Sequence, residues 1–297
     1  MFVVAYVCYV QLCICRQYSR KSPAVAPSLW TVGYTPSMRI VFFDTETTGG
    51  GEQDRLLSLA VKEKGREKAI VNAIYKPPVP ITFESMAVHH ITEKMARDEP
   101  LFTAAPEYKE LKALFEHEDT VAVAHNVAFD LAMLSREGIT PTRTICTYKI
   151  ARTLDPEEKL ANYRLQYLRY LLGLEVEATA HDALGDVLVL EGLFERLFVK
   201  MTEEKAKTSV GRSPDASEET SRGAAEEEAL RHMIEISSRP MLFTTLRFGK
   251  HKGKRIEDVA KTDASYLRWL LQEKKKDPAA EADWIYTLQH YLASAVR

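Results

Sequence analysis

Arg39-Ile-Val-Phe-Phe-Asp-Thr-Glu-Thr-Thr-Gly49 decides how the rest of the chain is read. Residues 39–43 are expected to form a strand. Ile40 to Phe43 are all apolar, β-branched or aromatic, as in a central strand covered on both faces. Asp44 and Glu46 follow. Side chains at i and i+2 of an extended chain point the same way, so two carboxylates leave the end of a buried strand on one face. Their repulsion is unfavourable unless a positive charge lies between them. Oxygen-only ligands suit magnesium or manganese rather than zinc. Gly49 then lets the chain turn away. A strand ending in a polar turn, with Thr and Asp as local caps, explains Asp-x-Glu alone equally well.

The 297 residues allow one large domain or two smaller ones, and 45% hydrophobic with 28% charged residues is an ordinary globular balance. Lys and Arg number 40 against 42 Asp and Glu, a net of −2, so any basic footprint for nucleic acid must be local. Cys8, Cys13 and Cys15 lie near the start, and Cys146 stands alone in the body. One body cysteine makes no disulfide framework, so the folded part suits a reducing compartment, and a cytoplasmic location is expected. Cys8-x4-Cys13-x-Cys15 has no downstream His or Cys cluster to complete a zinc site. Residues 1–15 are apolar except Gln11, and Arg16, Arg20 and Lys21 follow. That run is shorter than the roughly 20 residues that span a bilayer. It also lacks the positive leading region of a signal peptide. Residues 1–37 are expected to lie outside the fold, with Met38 as the start and no stable membrane association. The alternative is a weak anchor with the basic cluster on the cytoplasmic side.

Beyond Gly49, residues 55–62 and 68–75 read as an antiparallel pair around Gly65, ended by Pro77, Pro78 and Pro80. Thr92 is an expected N-cap for a short helix over 93–97. His89 and His90, just before it, either approach a substrate or serve the helix end. An amphipathic helix is expected after Pro106, carrying Tyr108, Leu111, Leu114 and Phe115. Residues 120–124 form a short apolar strand running into His125-Asn126, and the next helix carries Asp130 on its first turn. A fifth strand is expected over 142–147, then helices over 148–154 and 163–172, the latter stopped by Gly173. From Asp182 a long helix runs to about residue 200. Residues 201–237 read as an acidic linker with a short helix over 226–236.

From residue 238 the character changes. Residues 242–248 alternate like a strand, Gly249-Lys-His-Lys-Gly253 reads as a turn, and residues 254–256 as the return. Asp263 is an expected cap for a helix with Tyr266, Leu267, Trp269 and Leu270, and a last helix carries Trp284, Leu288 and Tyr291. Residues 238–297 hold 12 Lys or Arg against 7 Asp or Glu, a net of +5, whereas 201–237 hold 5 against 9, a net of −4. Lys250, Lys252, Lys254 and Arg255 are therefore candidates for tracking the phosphates of a nucleic acid; a solvated turn on a packing module is the alternative. Trp269 and Trp284 sit within apolar helix faces and are expected to be core anchors.

Asp44 with Glu46, Asp130 and Asp186 now place carboxylates at strand ends or helix starts, and His181 lies five residues before the last. Four such donors can hold two hard cations around a phosphoryl group, with His181 accepting a proton from water. Phe43-Asp-Thr-Glu-Thr-Thr-Gly49, His125-Asn-Val-Ala-Phe-Asp130 and His181-Asp-Ala-Leu-Gly-Asp186 resemble, in order and spacing, the three motifs of the DnaQ-like 3′-5′ exonucleases, in their histidine-type branch. The resemblance covers about residues 38–200. The segment Phe248-Gly-Lys-His-Lys-Gly-Lys254 with Tyr266-Leu-Arg-Trp-Leu270 is similar to the small appended module of the exodeoxyribonuclease X group.

The resemblance implies an α/β, ribonuclease-H-like five-stranded mixed sheet flanked by helices, plus a small C-terminal hairpin-and-helix module over 238–297. It implies Asp44, Glu46, Asp130 and Asp186 as ligands to two Mg2+ or Mn2+ ions, His181 as general base, and Asp182 as a helix-start residue. Thr45, Thr47, His89 and Asn126 fall where the family meets the terminal nucleotide. The implied activity is release of 5′-mononucleotides from single-stranded or frayed DNA 3′ ends, in repair or recombination. RNA trimming or polymerase proofreading is the alternative within the same chemistry, because the sugar is told apart by local 2′-hydroxyl contacts. A silent nucleic-acid-binding adaptor would have lost a carboxylate or the His, and none is lost.

Overall fold

A computed structural model describes residues 38–177, 182–208, 218–276, 278 and 281–294. Its strands are β1 (Arg39–Thr47), β2 (Leu56–Glu63), β3 (Val71–Ile74), β4 (Thr120–Ala124) and β5 (Arg143–Cys146). They form a sheet in the order β3-β2-β1-β4-β5, with β1 at its centre. The β1–β2 and β2–β3 pairs are antiparallel, and β1–β4 and β4–β5 are parallel. A parallel return needs a long crossover. Between β1 and β4 the chain supplies α1 (Phe83–His89), α2 (Glu93–Ala96) and α3 (Tyr108–Glu116); between β4 and β5 it supplies α4 (Ala128–Arg136). After β5 come α5 (Thr147–Thr153), α6 (Leu165–Leu171), α7 (Ala183–Thr208) and α8 (Glu218–Ser238), then α9 (Ile256–Thr262), α10 (Ala264–Lys274) and α11 (Ala282–Ser294).

The two-residue period of β1 separates two cores. Phe42 packs on the α7 side, edge-on to Phe194 at 5.4 Å between ring centroids. Val41 and Phe43 face the other layer, where Phe43 meets Phe115 of α3 at 5.1 Å. Full burial of one such side chain contributes about 1.5–3 kcal/mol. Both layers therefore grip the central strand, and its register is fixed from both sides.

The reading of 201–237 as a linker is corrected. α7 continues to Thr208, and α8 spans 21 residues rather than a short central piece. Ala229, Leu230 and Met233 of α8 are buried in the α7-side core. Ser237 Oγ accepts the Cys146 N–H at 2.8 Å and donates to the Met233 carbonyl at 2.7 Å. The helix thus covers the outer edge of the sheet beside β5, which would otherwise offer unpaired backbone groups. Its buried positions are few and partly alanine, so the surrounding Glu226, Glu227 and Glu228 dominate the sequence and hide the periodicity.

The C-terminal segment has its own core, built from Phe243, Leu246, Ile256, Val259, Leu267, Leu270 and Leu288. The expected two-stranded hairpin reduces to one bridge, Thr245 with Arg255, because Ile256 already opens α9. Gly249 is held at φ +70, and a Cβ there would lie 2.2 Å from the Tyr266 hydroxyl. Asp263 caps α10 as expected, accepting from Tyr266 N. Thr92 stands at the N-cap of α2 but makes no side-chain cap bond. Trp284 packs on Phe243 and Phe248 as an anchor. Trp269 does not: it is 55% exposed, a correction to its expected core role. Its neighbours Leu267 and Leu270 take the buried stripe of α10 and leave it outside.

The segment docks through buried polar groups. Lys149 of α5 reaches Asp283 at 2.9 Å and the Arg239 carbonyl at 2.8 Å. Arg152 pairs with Glu158 and lies over the Tyr163 and Phe243 rings. No helix among the described residues is long and apolar enough to cross a membrane.

Candidate active site

Strand parity sets the site. Asp44 and Glu46 share the face of Phe42 and look toward α7, whose first turn carries Asp186. One carboxylate oxygen from each of Asp44, Glu46 and Asp186 lies within 4.8 Å of the others. The β1–β2 register shifts at Glu46/Thr47, a bulge where the strand leaves the sheet. Thr45 has the opposite parity. Its backbone N–H and its hydroxyl both donate to Asp130 Oδ1, at 3.2 and 2.6 Å. Asp130 therefore stands beside the trio, held from β1, on the first turn of α4.

The electrostatics carry the penalty expected from crowded carboxylates. Burial, then Asp130, Asp186, Glu46 and Asp182, push the Asp44 carboxyl well above the usual range. Burial, then Asp186, Asp130 and Asp182, push Glu46 up to about 8. Burial raises Asp130 to about 7 against the two Thr45 hydrogen bonds, which lower it. The nearby Lys62 is engaged by Glu191 at 2.6 Å and does not relieve the cluster. A hard divalent cation fits this donor set, since carboxylate oxygens are its preferred ligands and its charge would remove the repulsion.

Other sequence-predicted residues fall around this centre. Asp182 Oδ2 accepts the Gly185 N–H at 3.1 Å, the helix-start role expected of it. His181 lies outside the described residues. Thr47 donates to the Gly49 carbonyl at 2.8 Å, and both it and Thr45 are buried. His89 is buried too. Its Nε2–H donates to the Thr47 carbonyl at 3.2 Å and its Nδ1 accepts the Ile91 N–H at 2.9 Å. It thereby ties the end of β1 to α1, and burial lowers its pKa. His90 is the left-handed cap residue of the same helix. Asn126 is exposed, at φ +63 directly after β4. Lys250, Lys252, Lys254 and Arg255 belong to the C-terminal segment and do not join the carboxylates.

Sequence reasoning does not find Gln166. Its Nε2 donates to Asp186 Oδ1 at 2.5 Å from α6. No spacing rule links a glutamine on one helix to an aspartate on another, and only the packing of α6 on α7 brings them together. The sequence marks His125 only as a motif member. Its Nε2–H donates to the Tyr163 carbonyl at 2.7 Å, so its Nδ1 accepts from the Thr147 hydroxyl at 2.9 Å. Burial pushes this imidazole down to about 4.

A family model described as Exonuclease matches residues 41–194, the part of the chain that carries all four carboxylates. The chain belongs to the DnaQ-like exonuclease family. It is thus a 3′-5′ exonuclease, in a family that depends on divalent metal. A second model, Exodeoxyribonuclease X-like C-terminal, matches residues 246–275. Exodeoxyribonuclease 10 of Escherichia coli (strain K12) is 31% identical over 259 residues, 86% of this chain and 98% of that protein. The DNA polymerase III subunit epsilon of Treponema pallidum is 30% identical over 176 residues, 56% of this chain and 79% of that one. The solved structure of Exonuclease X in complex with 5′ overhanging duplex DNA is 28% identical, covers 54% of this chain and 92% of its own, and superposes with a TM-score of 0.44.

Proposed function

We propose that this exonuclease removes 5′-mononucleotides from the 3′ ends of single-stranded or frayed DNA, in repair or recombination inside a reducing, cytoplasmic compartment. The observation that carries the reading is the trio of Asp44, Glu46 and Asp186 oxygens within 4.8 Å, with Asp44 and Glu46 raised in pKa by burial and by the surrounding carboxylates. Asp44, Glu46 and Asp186 would hold a divalent cation, with Asp130 completing the set for a second. Two Mg2+ or Mn2+ ions would supply Lewis-acid stabilisation of the developing charge on the phosphate.

The chain's own residues do the rest. Thr45 and Gln166 fix the carboxylates of Asp130 and Asp186, so their oxygens need little reorganisation on loading. His181 takes the proton from the attacking water, whose oxygen forms the new bond to phosphorus. The bond from phosphorus to the 3′ oxygen of the preceding sugar breaks, leaving a 3′-hydroxyl on the shortened strand. The β1 end at Thr45 and Thr47, with His89 behind it and Asn126 across the strand ends, forms the seat for the terminal nucleotide. Residues 38–238 form the exonuclease body, with α8 included in it, and residues 239–297 form the appended module. DNA is favoured over RNA by the full-length match to an exodeoxyribonuclease, which spans 98% of that relative.

A time course on 3′- and 5′-labelled DNA and matched RNA, with magnesium and with chelator, tests this. Stepwise magnesium-dependent shortening of DNA from the 3′ end, with RNA largely spared, is the expected result. Equal or faster loss of RNA would replace it with RNA trimming.

A further inference from the structure

The solvent side of α10 gathers basic and aromatic side chains. Arg268, Trp269, Gln272 and Lys275 recur at helical spacing and are all exposed. Trp269 lies 5.6 Å from the Tyr266 ring, and Tyr266 lies 4.9 Å from His251 in the Gly249–Gly253 turn. An aromatic row therefore joins the face of α10 to the basic turn, where Lys252 and Lys254 are exposed. Lys250 of that turn is engaged by Asp263 at 2.9 Å, whereas Arg268, Lys275, Lys252 and Lys254 have no acidic partner among the described residues. At its other end α10 leads to Lys276, which walls a groove of about 510 Å³ together with Leu131 and Arg136 of α4, the helix that carries Asp130.

We propose that this face is a second nucleic-acid site, which holds the unpaired strand upstream of the 3′ end while that end occupies the carboxylate site. This rests on the reading of the substrate as a DNA strand. Trp269 stacks on a base, and Arg268, Lys275, Lys252 and Lys254 meet phosphates. A large exposed aromatic flanked by unengaged cations suits single-stranded nucleic acid, because every base has a stacking face and every linkage a charge. The net +5 of residues 238–297 complements that polyanion, whereas the chain as a whole is at −2.

The test titrates the full-length protein, in chelator, against a fluorescently labelled oligothymidylate of roughly 20 nucleotides. Trp269→Ala, half-exposed and outside the core, should bind about tenfold more weakly. The double variant Arg268→Gln with Lys275→Gln should flatten the log–log salt dependence by about 0.7 for each phosphate no longer neutralised. Hydrolysis of the p-nitrophenyl ester of thymidine 5′-monophosphate, too short to reach α10, should be the same in all variants. Unchanged oligonucleotide affinity in Trp269→Ala, together with an unchanged salt slope, would overturn the proposal and leave the face to a protein partner. Failure of the unsubstituted enzyme to hydrolyse the ester would overturn the active-site reading instead.

Discussion

The carboxylates at the end of β1 and the cations on and beside α10 are both clusters of like charge, yet the protein holds them in opposite ways. Asp44, Glu46, Asp130 and Asp186 are crowded into the body, and Thr45 and Gln166 fix two of them. Arg268, Lys252, Lys254 and Lys275 stand in solvent. Burying like charges raises the free energy of the empty site, which is tolerable only for a ligand of fixed position and high charge density. Exposed cations cost little and suit a flexible polyanion. The two regions thus differ in what they demand of neighbouring side chains.

Asp44→Ala breaks the comparison most severely. It should reduce mononucleotide release by about a thousandfold or more while leaving the circular dichroism spectrum intact. Oligonucleotide binding at α10 should change far less. A variant that retained nuclease activity would remove the reason for the buried cluster.

Acid should act on the body through two opposing sets of buried groups and spare the exposed face. The folded pKa of His125 is depressed from 6.5 to about 4, so the unfolded chain takes up the proton first. Its contribution is fully present above pH 6.5 and is lost as pH falls toward 4, to a limit of roughly 3 kcal/mol. Glu46 and Asp130 act with the opposite sign, because their folded pKa values are raised and stability falls as they ionise. Urea midpoints of the unsubstituted protein and His125→Gln at about pH 7.5, above the ordinary imidazole value, and at about pH 4.5, close to the folded value of about 4, isolate the histidine. The gap between the two should narrow or reverse toward acid.

Gln166→Leu sharpens the comparison at the level of a single hydrogen bond. It should weaken divalent-cation affinity by about 10–100-fold, read by the cation concentration giving half-maximal activity, because the orientation of Asp186 is lost. The smallest effect concerns salt. Sodium chloride should lower oligonucleotide affinity steeply and cation affinity at the buried carboxylates only modestly, as calorimetry at several salt concentrations would measure.

Much of the buried region is legible in the sequence because covalent spacing dictates it. The apolar run Ile40 to Phe43 announces a central strand, and i, i+2 parity places Asp44 and Glu46 together. Parity also explains what the motif alone does not show there: Thr45, pointing the other way, is the anchor of Asp130. Gln166, the bond of Ser237 to Cys146 and the burial of α8 depend on which helices meet, which no local pattern encodes. Trp269 is misplaced by pattern alone because apolar neighbours make its helix face look uniformly buried. The stripe of Leu267 and Leu270 is narrower than that, and an aromatic residue just outside it faces water.

The most direct test of the central claim is uptake of manganese by the chelator-treated protein, followed by loss of the free-ion paramagnetic signal, for the unsubstituted chain and for Asp44→Asn. The account predicts saturable uptake by the former and affinity lower by at least about 10–100-fold in the latter. Equal uptake by both would contradict it, since the carboxylates at the end of β1 would then hold no cation.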